Sequence, residues 1–250
     1  HSAATVKIDS QLDSAVEINL LGPSRVAETL HHLHAGRRAG LPHLIAVSTA
    51  YVAGSRRGLA PEAPLPDTPW STEVDWKPEV AAARRARADT DADSRDPKML
   101  ARFQRQARRE LGAAGTPLLS ARAEKFRQEW VNDRMVDVGK ARAQGLGWPD
   151  AYAYTKALGE RALLESRRDL PLTIVRPSII ESALAEPVPG WIRGFRMADP
   201  VIISYAKGLL KEFPGVPEGV IDVIPVDLVV ASIIAVAGRG PLAEPDVFHS

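Results

Sequence analysis

Two short segments that read as buried strands constrain the fold of this chain more than any other feature. One is the continuous apolar run His43–Val47, and the other is Leu170–Arg176, which is stopped by Pro177. Strands that are buried on both faces of a parallel sheet have this composition, whereas strands with one solvated face alternate apolar and polar residues. The chain of 250 residues is therefore predicted to be an α/β protein with a parallel sheet, forming one large domain or a domain and a half.

Segments with helical periodicity or turn signals surround these strands. Apolar residues recur at helical spacing over Asp13–Leu33, although Asn19 and Gly22 are mediocre helix formers inside that pattern. The other predicted elements are a strand end over 1–8, a proline-rich loop over 55–79, helices near Asp96–Leu111 and Ser120–Gln144, a helix of Tyr152 that Asp150 caps and that runs to about Ser166, a Pro- and Gly-rich segment over 178–219 with a helix near Ile202–Leu210, a strand over Gly219–Pro225, a helix over Leu228–Ala237 that Asp227 caps, and a strand over Val247–Ser250.

Tyr152 and Lys156 are four residues apart, so a helix places them on one face, one turn from each other. A free tyrosine has a pKa of about 10 and is a poor base at neutral pH. An ammonium within about 4–6 Å favours the phenolate and lowers that pKa. The pair can therefore donate or accept a proton at a reacting oxygen. The alternative interpretation is a Tyr and a Lys on an ordinary exposed helix.

Polar side chains lie where the first buried strand ends. Ser48 and Thr49 follow Val47, and ligands of open α/β sheets bind at the carboxyl ends of the strands. These hydroxyls are candidates for a ligand site, or they merely cap their own turn. Asn19, inside its predicted helix, either bridges backbone and active-site water or is simply tolerated there.

A basic insertion separates the Ser-Thr strand from the Tyr-Lys helix. Residues 81–147 are rich in Ala and Arg and carry 15 Lys/Arg against 9 Asp/Glu, whereas the rest of the chain carries 17 against 22. Such a charge run forms a solvated face or, alternatively, a helical lid that meets an anionic substrate group or a membrane surface.

Composition narrows the remaining function classes. The formal net charge of +1 gives no general argument for nucleic acid, and the absence of cysteine rules out disulfides and cysteine-rich metal sites. No metal site is predicted. No run of 18 apolar residues occurs, so no transmembrane helix is expected. The expected location is cytoplasmic, with peripheral membrane contact left open, and the oligomeric state is unknown.

Together these motifs resemble the active-site half of the extended short-chain dehydrogenases/reductases. The superfamily has the same order of a Ser-Thr strand, a Tyr-x-x-x-Lys helix and a strand ending in Arg-Pro, and Asn19-x-x-Gly22 resembles its Asn-x-x-Gly helix. Additional segments are similar to bacterial fatty acyl-CoA reductases with a male-sterility-type NAD(P)-binding domain, namely 47–52, 147–160, 173–182, 189–191 and 222–227. The resemblance implies the C-terminal half of a doubly wound Rossmann-type parallel sheet, with a helical insertion and a small substrate-binding part.

The resemblance also implies a reaction. NADPH, with NADH not excluded, would reduce a long-chain fatty acyl-CoA to the aldehyde, and a second reduction to the alcohol is left open. Tyr152 would donate the proton, and Lys156 would lower its pKa and bind the nicotinamide ribose. Thr49 aligns best with the catalytic hydroxyl, Ser48 is the alternative, and Asn19 completes the catalytic set. The implied cofactor-binding residues are Ala3, Ala4, Thr49, Tyr152, Lys156, Pro177, Ser178 and Ile179.

The chain differs from the superfamily in the glycine-rich turn that binds the pyrophosphate of the cofactor. Neither G-x-x-G-x-x-G nor G-x-G-x-x-G occurs, although such a turn normally places pyrophosphate at a helix N-terminus. Roughly the first three βα units of the fold are therefore expected to be absent, because the chain is truncated or because another chain supplies them. The chain alone is expected to bind the cofactor poorly.

Two parts are expected within the chain: a Rossmann-type catalytic part over 1–178, with the insertion at about 56–147, and a substrate-binding part with a returning strand and helix over 179–250. Acyl-CoA is the expected partner. Three alternatives remain open: a carrier-protein thioester reductase with the same catalytic residues, another extended short-chain dehydrogenase of the epimerase or dehydratase type, and a non-catalytic remnant that serves as a scaffold.

Overall fold

The structure, a computed structural model, describes residues 1–34, 40–68, 74–112, 118–194, 199–212 and 219–250. Helices predominate in these residues and surround two small parallel sheets. The helices are α1 (Leu12–Ala15), α2 (Leu21–His34), α3 (Trp76–Ser94), α4 (Pro97–Leu111), α5 (Leu119–Gly145), α6 (Ala151–Ser166), α7 (Asp199–Ala206) and α8 (Val226–Arg239), with 3-10 turns at Ala50–Ala53 and Leu65–Asp67.

Parallel strands form the main sheet. Its strands are β1 (Leu44–Val47), β2 (Leu172–Arg176) and β5 (Asp246–His249), which lie in the order β1-β2-β5. A second sheet pairs β3 (Ile179–Glu181) with β4 (Val223–Pro225), also in parallel. Every residue of β2 is buried, as expected for the central strand of a parallel sheet, although Thr173 and Arg176 are polar. The predicted α/β class with parallel strands is confirmed, and the architecture is consistent with a Rossmann-like domain.

Helix α6 joins the two main parts of the core. Its inner residues, including Leu158, pack with the N-terminal helices and with α3 and α5, and Leu163 packs with α2 and the main sheet. The Asp150 carboxylate accepts the Ala153 N–H at 2.8 Å, so the predicted cap of this helix is confirmed. The first residues of α6 therefore start at a fixed point beside the carboxyl end of β1.

Helices α3, α4 and α5 form the insertion. Helix α3 and helix α5 both pack against α6, whereas α4 packs mainly on α5. Arg127 of α5 is almost completely buried and bonds to Asp91 and Ser94 of α3 and to Glu124 of its own helix. The insertion is thus a fixed layer of the core, held by a charge network as well as by apolar contacts.

The sequence predicted several of these elements and missed others. The predicted helix over Asp13–Leu33 is present as a continuous run from α1 to α2, with a π-helical turn at Val16–Leu20 in its middle. Helix α3 was not predicted. It begins after Asp75, whose carboxylate accepts the Lys77 N–H, and Pro78 fits because the first turn needs no donor there.

Other boundaries also differ from the predictions. Residues 1–8 form no strand. The backbone of His1 nevertheless pairs with the outer edge of β1: its amine donates to Ile45 O at 2.7 Å, and its carbonyl oxygen accepts the Val47 N–H at 2.8 Å. The predicted cap at Asp227 is wrong, because this residue lies within the first turn of α8 and its carboxylate accepts the backbone N–H groups of residues 184–186. Helix α7 starts earlier than predicted, and residues 69–73 and 213–218 of the predicted loops lie outside the described residues.

Candidate active site

Thr49 and Tyr152 meet at the carboxyl edge of the main sheet. Thr49 comes two residues after the end of β1, and its Oγ1 accepts the Tyr51 N–H at 3.3 Å. Tyr152 lies in the first turn of α6, and its phenol lies beside the side chain of Thr49, which favours the phenolate form. The interpretation that the Thr49 hydroxyl caps its own turn is confirmed, and its role in a ligand site stays a prediction.

Lys156 lies one turn along α6 from Tyr152 and is 5% exposed. Its Nζ donates to Val47 O at 2.8 Å, at the end of β1. Burial lowers its pKa to about 8, and the Glu160 carboxylate opposes that shift. The alternative of an ordinary exposed helix is wrong for this pair, because α6 is buried and its cation is fixed at the edge of the sheet.

Tyr152 does not have the lowered pKa that its spacing from Lys156 predicted. Burial raises the pKa of the phenol, the neighbouring Thr49 side chain opposes that rise, and the charge of Asp150 adds to it. The expectation of a lowered pKa is therefore wrong for this structure, because desolvation outweighs the interactions that favour the phenolate. Tyr152 is consequently a protonated phenol at neutral pH, the form that can donate a proton.

Ser48 has a different environment from Thr49. Its backbone N–H donates to Val175 O at 2.7 Å, so the residue still belongs to the ladder of the sheet. Its Oγ is buried and has no hydrogen-bond partner within the described part of the chain. Buried hydroxyls normally have a partner. Ser48 therefore offers an unused hydroxyl beside the site, whereas Thr49 is the one that contacts Tyr152.

Asn19 connects the N-terminal segment to α6. Its Oδ1 accepts the Thr5 N–H at 2.9 Å and its Nδ2 donates to Thr5 O at 3.0 Å, as a neighbouring strand would do. The same Nδ2 lies 3.3 Å from Thr155 Oγ1. Asn19 thus binds backbone groups, as the predicted bridge requires, and its contact with active-site water stays a prediction. It lies in the π-helical turn, and such turns occur frequently at functional sites.

Gly159 permits the close approach of α6 to this π-helical turn. A Cβ at Gly159 would lie 2.3 Å from Asn19 O, a distance that neither backbone could accept. Sequence reasoning did not identify this residue. A glycine inside a helix normally lowers helix stability by about 1 kcal/mol. Its presence in the predicted helix of Tyr152 could therefore have indicated a close contact at this position.

The residues implied to bind the cofactor lie along the same edge. Ala3 and Ala4 lie between His1, which pairs with β1, and Thr5, which Asn19 holds. After β2, Pro177 O accepts the Ala50 N–H at 2.9 Å and the Ser178 N–H donates to Ser250 O at 2.8 Å. The Ile179 N–H donates to Asp222 O and starts β3. These segments, the unpaired Ser48 hydroxyl and the Lys156 ammonium together fit the nicotinamide end of a dinucleotide.

A second polar cluster, which sequence reasoning missed, lies on the other side of α6. The Tyr154 phenol donates to Glu79 Oε2 at 2.6 Å, and Arg142 Nε donates to the same oxygen at 2.8 Å. The Arg142 guanidinium holds the pKa of Glu79 below its usual value, and burial raises the pKa of Tyr154. This cluster links α6 to α3 and α5 of the insertion.

Two negative findings apply to the described ranges. Within them, no group of His, Asp and Glu side chains is arranged to hold a metal ion. None of the helices in these ranges has the length and apolar character needed to cross a bilayer.

Comparison with known proteins identifies relatives over almost the whole chain. The family described as male sterility protein, an NAD-binding family, matches residues 1–233. Chloroplastic fatty acyl-CoA reductase 2 of Arabidopsis thaliana is 32% identical over 98% of this chain and 35% of its own length. The alcohol-forming fatty acyl-CoA reductase of Simmondsia chinensis is 33% identical over 99% of this chain and 44% of its own length.

A human relative matches a shorter stretch at higher identity. Fatty acyl-CoA reductase 2 of Homo sapiens is 40% identical over 48% of this chain and 24% of its own length. The chain thus spans less than half the length of each of these relatives.

Proposed function

Because the chain belongs to the NAD-binding family of male sterility proteins, we propose that it carries the catalytic residues of an NADPH-dependent fatty acyl-CoA reductase. The substrate is a long-chain fatty acyl-CoA, and the products are the fatty aldehyde and then the alcohol. The names of the relatives support this proposal, because they are fatty acyl-CoA reductases and one of them is alcohol-forming.

The convergence of Thr49, Tyr152 and Lys156 at the carboxyl end of β1 is the observation that carries the proposal. The bound nicotinamide cofactor supplies the hydride. Attack on the thioester carbonyl converts its oxygen into an oxyanion, and two adjacent hydroxyl donors stabilise that charge. Collapse of this oxyanion releases CoA as the thiolate and leaves the aldehyde. The second reduction needs another hydride at the aldehyde carbon, which a second molecule of the reduced cofactor would supply. Because Tyr152 is a protonated phenol, it can donate its proton to the aldehyde oxygen, which gives the alcohol.

Lys156 is assigned to the cofactor side of the site. An ammonium has three N–H donors, and the Val47 carbonyl accepts from it at 2.8 Å. In the proposal, another N–H of Lys156 binds the nicotinamide ribose. The backbone of Pro177, Ser178 and Ile179 and the segment of Ala3 and Ala4 would hold the nicotinamide end of the cofactor.

Ser48 and Asn19 have supporting roles in the proposal. The unpaired Ser48 hydroxyl donates to the carbonyl oxygen or to the cofactor, and so completes its own hydrogen bonding. Asn19 holds Thr5, and with it the N-terminal segment, against α6. In the proposal, the active site is therefore formed by the N-terminal segment, the turn after β1 and the start of α6.

The basic face of α4 is proposed as the contact with anionic groups. Helix α4 buries Phe103 and Ala107 and leaves its arginines exposed, namely Arg102, Arg105, Arg108 and Arg109. Since α4 packs mainly on α5, this face lies on the outer layer of the insertion. We propose that the protein is cytoplasmic and that this face meets an anionic membrane surface or the phosphates of CoA.

The proposal is tested by measuring NADPH oxidation by the full-length protein with palmitoyl-CoA, palmitoyl carrier protein and palmitaldehyde. We expect turnover with palmitoyl-CoA and palmitaldehyde, and a lower rate when NADH replaces NADPH. If only palmitoyl carrier protein were reduced, the substrate would be a carrier-bound acyl thioester and not acyl-CoA. No turnover with any acyl thioester or aldehyde would contradict a reductase and would favour the scaffold alternative.

A further inference from the structure

We propose that Glu79 of the insertion is a positioning residue of the active site, which fixes α6 so that Tyr152 faces Thr49. This inference rests on the proposed function. It assigns a role at the active site to the start of α3, within residues 55–79, which the sequence predicts to be a proline-rich loop.

Helix α6 is held from two sides within its first turn. On one side Tyr152 lies beside Thr49, and on the other side Tyr154 donates a hydrogen bond to Glu79 at 2.6 Å. Positions two apart on a helix point in nearly opposite directions. Rotation of α6 about its axis would therefore break both contacts, so the contact of Tyr154 restricts the position of Tyr152.

Glu79 is suited to this role because it is itself held firmly. It is 8% exposed, and the Arg142 guanidinium binds both of its carboxylate oxygens. Bidentate Arg–carboxylate pairs have a defined geometry. Glu79 belongs to α3 and Arg142 to α5. The two longest helices of the insertion therefore fix the carboxylate oxygen that accepts the hydrogen bond from Tyr154.

Trp148 extends the same network to the loop of Thr49. Its indole N–H donates to Val52 O at 3.0 Å, and its ring lies 5.8 Å from the ring of Tyr154. The residue before it, Gly147, accepts the Ser55 N–H at 2.9 Å. The end of the insertion therefore touches both the turn that follows Thr49 and the helix that carries Tyr152.

Loss of the Glu79 contact should act on the rate rather than on substrate binding. A misplacement of about 1 Å at a reacting group can lower the rate of the chemical step by about 100-fold. Neither Glu79 nor Tyr154 contacts the proposed substrate, because both are buried on the opposite side of α6. We therefore expect kcat to fall while the KM values for acyl-CoA and NADPH stay nearly constant.

The test compares Glu79→Ala, Glu79→Gln and Tyr154→Phe in the full-length protein. Glu165→Gln is the matched control, because Glu165 of α6 also binds α3, through Trp76 and Lys77, at an exposed position. All rates are measured well below the melting temperature of each variant, with palmitoyl-CoA and with palmitaldehyde.

We expect Glu79→Ala and Tyr154→Phe to lower kcat by about tenfold, less than loss of the proton donor itself, with KM changed less than about twofold. Glu79→Gln should recover most of the activity, because its amide oxygen still accepts the Tyr154 hydrogen bond. Glu165→Gln should behave as the unmodified protein. If Glu79→Ala fails to fold, Tyr154→Phe, which removes a single oxygen atom, tests the same contact.

An unchanged kcat in Tyr154→Phe would overturn the inference, and so would a Glu79→Gln variant as slow as Glu79→Ala. Tyr152→Phe, measured in parallel, separates this failure from that of the proposed function. An inactive Tyr152→Phe with full activity in the other variants contradicts only the role of Glu79. A fully active Tyr152→Phe contradicts the proposed function itself.

Discussion

Tyr152 and Tyr154 project from opposite sides of the same helical turn and have different partners. Tyr152 lies beside Thr49 at the carboxyl edge of the sheet, whereas Tyr154 is 1% exposed and donates a hydrogen bond to Glu79 of α3. The two phenols are alike in chemistry, and only their positions on α6 assign one to the candidate site and the other to the core. This difference supplies the most direct test of the proposed reaction.

Gly159 is predicted to tolerate no side chain. Gly159→Ala places a methyl group against Asn19 O, so α6 and the π-helical turn must separate. We expect the free energy of unfolding to fall by about 1–3 kcal/mol, the usual effect of overpacking. Urea unfolding followed by circular dichroism measures this change. Gly145→Ala is the control, because its Cβ would have no neighbour within 4 Å, and an equal effect in both variants would contradict the close approach.

The buried pair of Arg176 and Glu160 is predicted to be sensitive to loss of one partner. The guanidinium binds both carboxylate oxygens, at 3.0 and 2.6 Å, and both side chains are almost completely buried. Glu160→Ala leaves an unpaired buried charge, so we expect a loss of about 3–5 kcal/mol in the free energy of unfolding. The Glu165→Gln change breaks an exposed pair with Lys77 and should have little effect. Equal losses in the two variants would be inconsistent with burial as the cause.

The lowered pKa of Lys156 predicts that stability rises and activity falls as pH increases. Burial lowers its pKa from the usual 10.5 to about 8, so the folded state binds fewer protons than the unfolded state between these values. Its contribution to the free energy of unfolding therefore rises as pH increases through that window. Lys156→Met should lack this rise when urea unfolding is compared at about pH 7 and about pH 10.

Activity should fall over the same interval, because the neutral amine loses its attraction for the cofactor. The measurement is kcat/KM for palmitoyl-CoA against pH, which reports ionisations of the free enzyme. A descending limb near pH 8 is expected. A profile that stays flat up to about pH 10 would contradict the role of the charged lysine.

The exposed arginines of α4 are predicted to interact with anions. Replacing Arg105, Arg108 and Arg109 by Gln removes three positive charges from a solvated face and should leave the fold intact. In the full-length protein we expect a higher KM for acyl-CoA, with a weaker dependence on salt, or a loss of binding to anionic vesicles. KM measured over a salt series and vesicle sedimentation distinguish these outcomes. If neither quantity changes, this face of α4 is only solvated.

Local sequence patterns were sufficient for the elements whose causes are local. The apolar runs predicted β1 and β2, the spacing of Tyr152 and Lys156 predicted their shared helix face, and Asp150 predicted the start of α6. In each case the residues that determine the structure are neighbours in sequence. The same holds for α5, whose predicted bounds differ from the observed ones by one residue at each end.

Features that depend on distant residues could not be predicted in this way. The partner of Tyr154 is Glu79, 75 residues earlier in the chain, and nothing near either residue indicates their contact. Asp227 was predicted to be a helix cap from its local position, but its carboxylate binds backbone groups more than 40 residues away. Likewise, the raised pKa of Tyr152 follows from burial, which the spacing from Lys156 does not reveal.

The most direct test of the proposed reaction is kcat for palmitoyl-CoA and for palmitaldehyde in Tyr152→Phe, Tyr154→Phe and Thr49→Ala, all in the full-length protein. Positioned proton transfer contributes about 10²–10⁴-fold, so Tyr152→Phe should lower aldehyde reduction by that factor and Tyr154→Phe by far less. Thioester reduction first needs oxyanion stabilisation, so Thr49→Ala should impair it about as much as Tyr152→Phe does. Full activity in Tyr152→Phe, or a collapse confined to Tyr154→Phe, would contradict the assignment of Tyr152 as the proton donor.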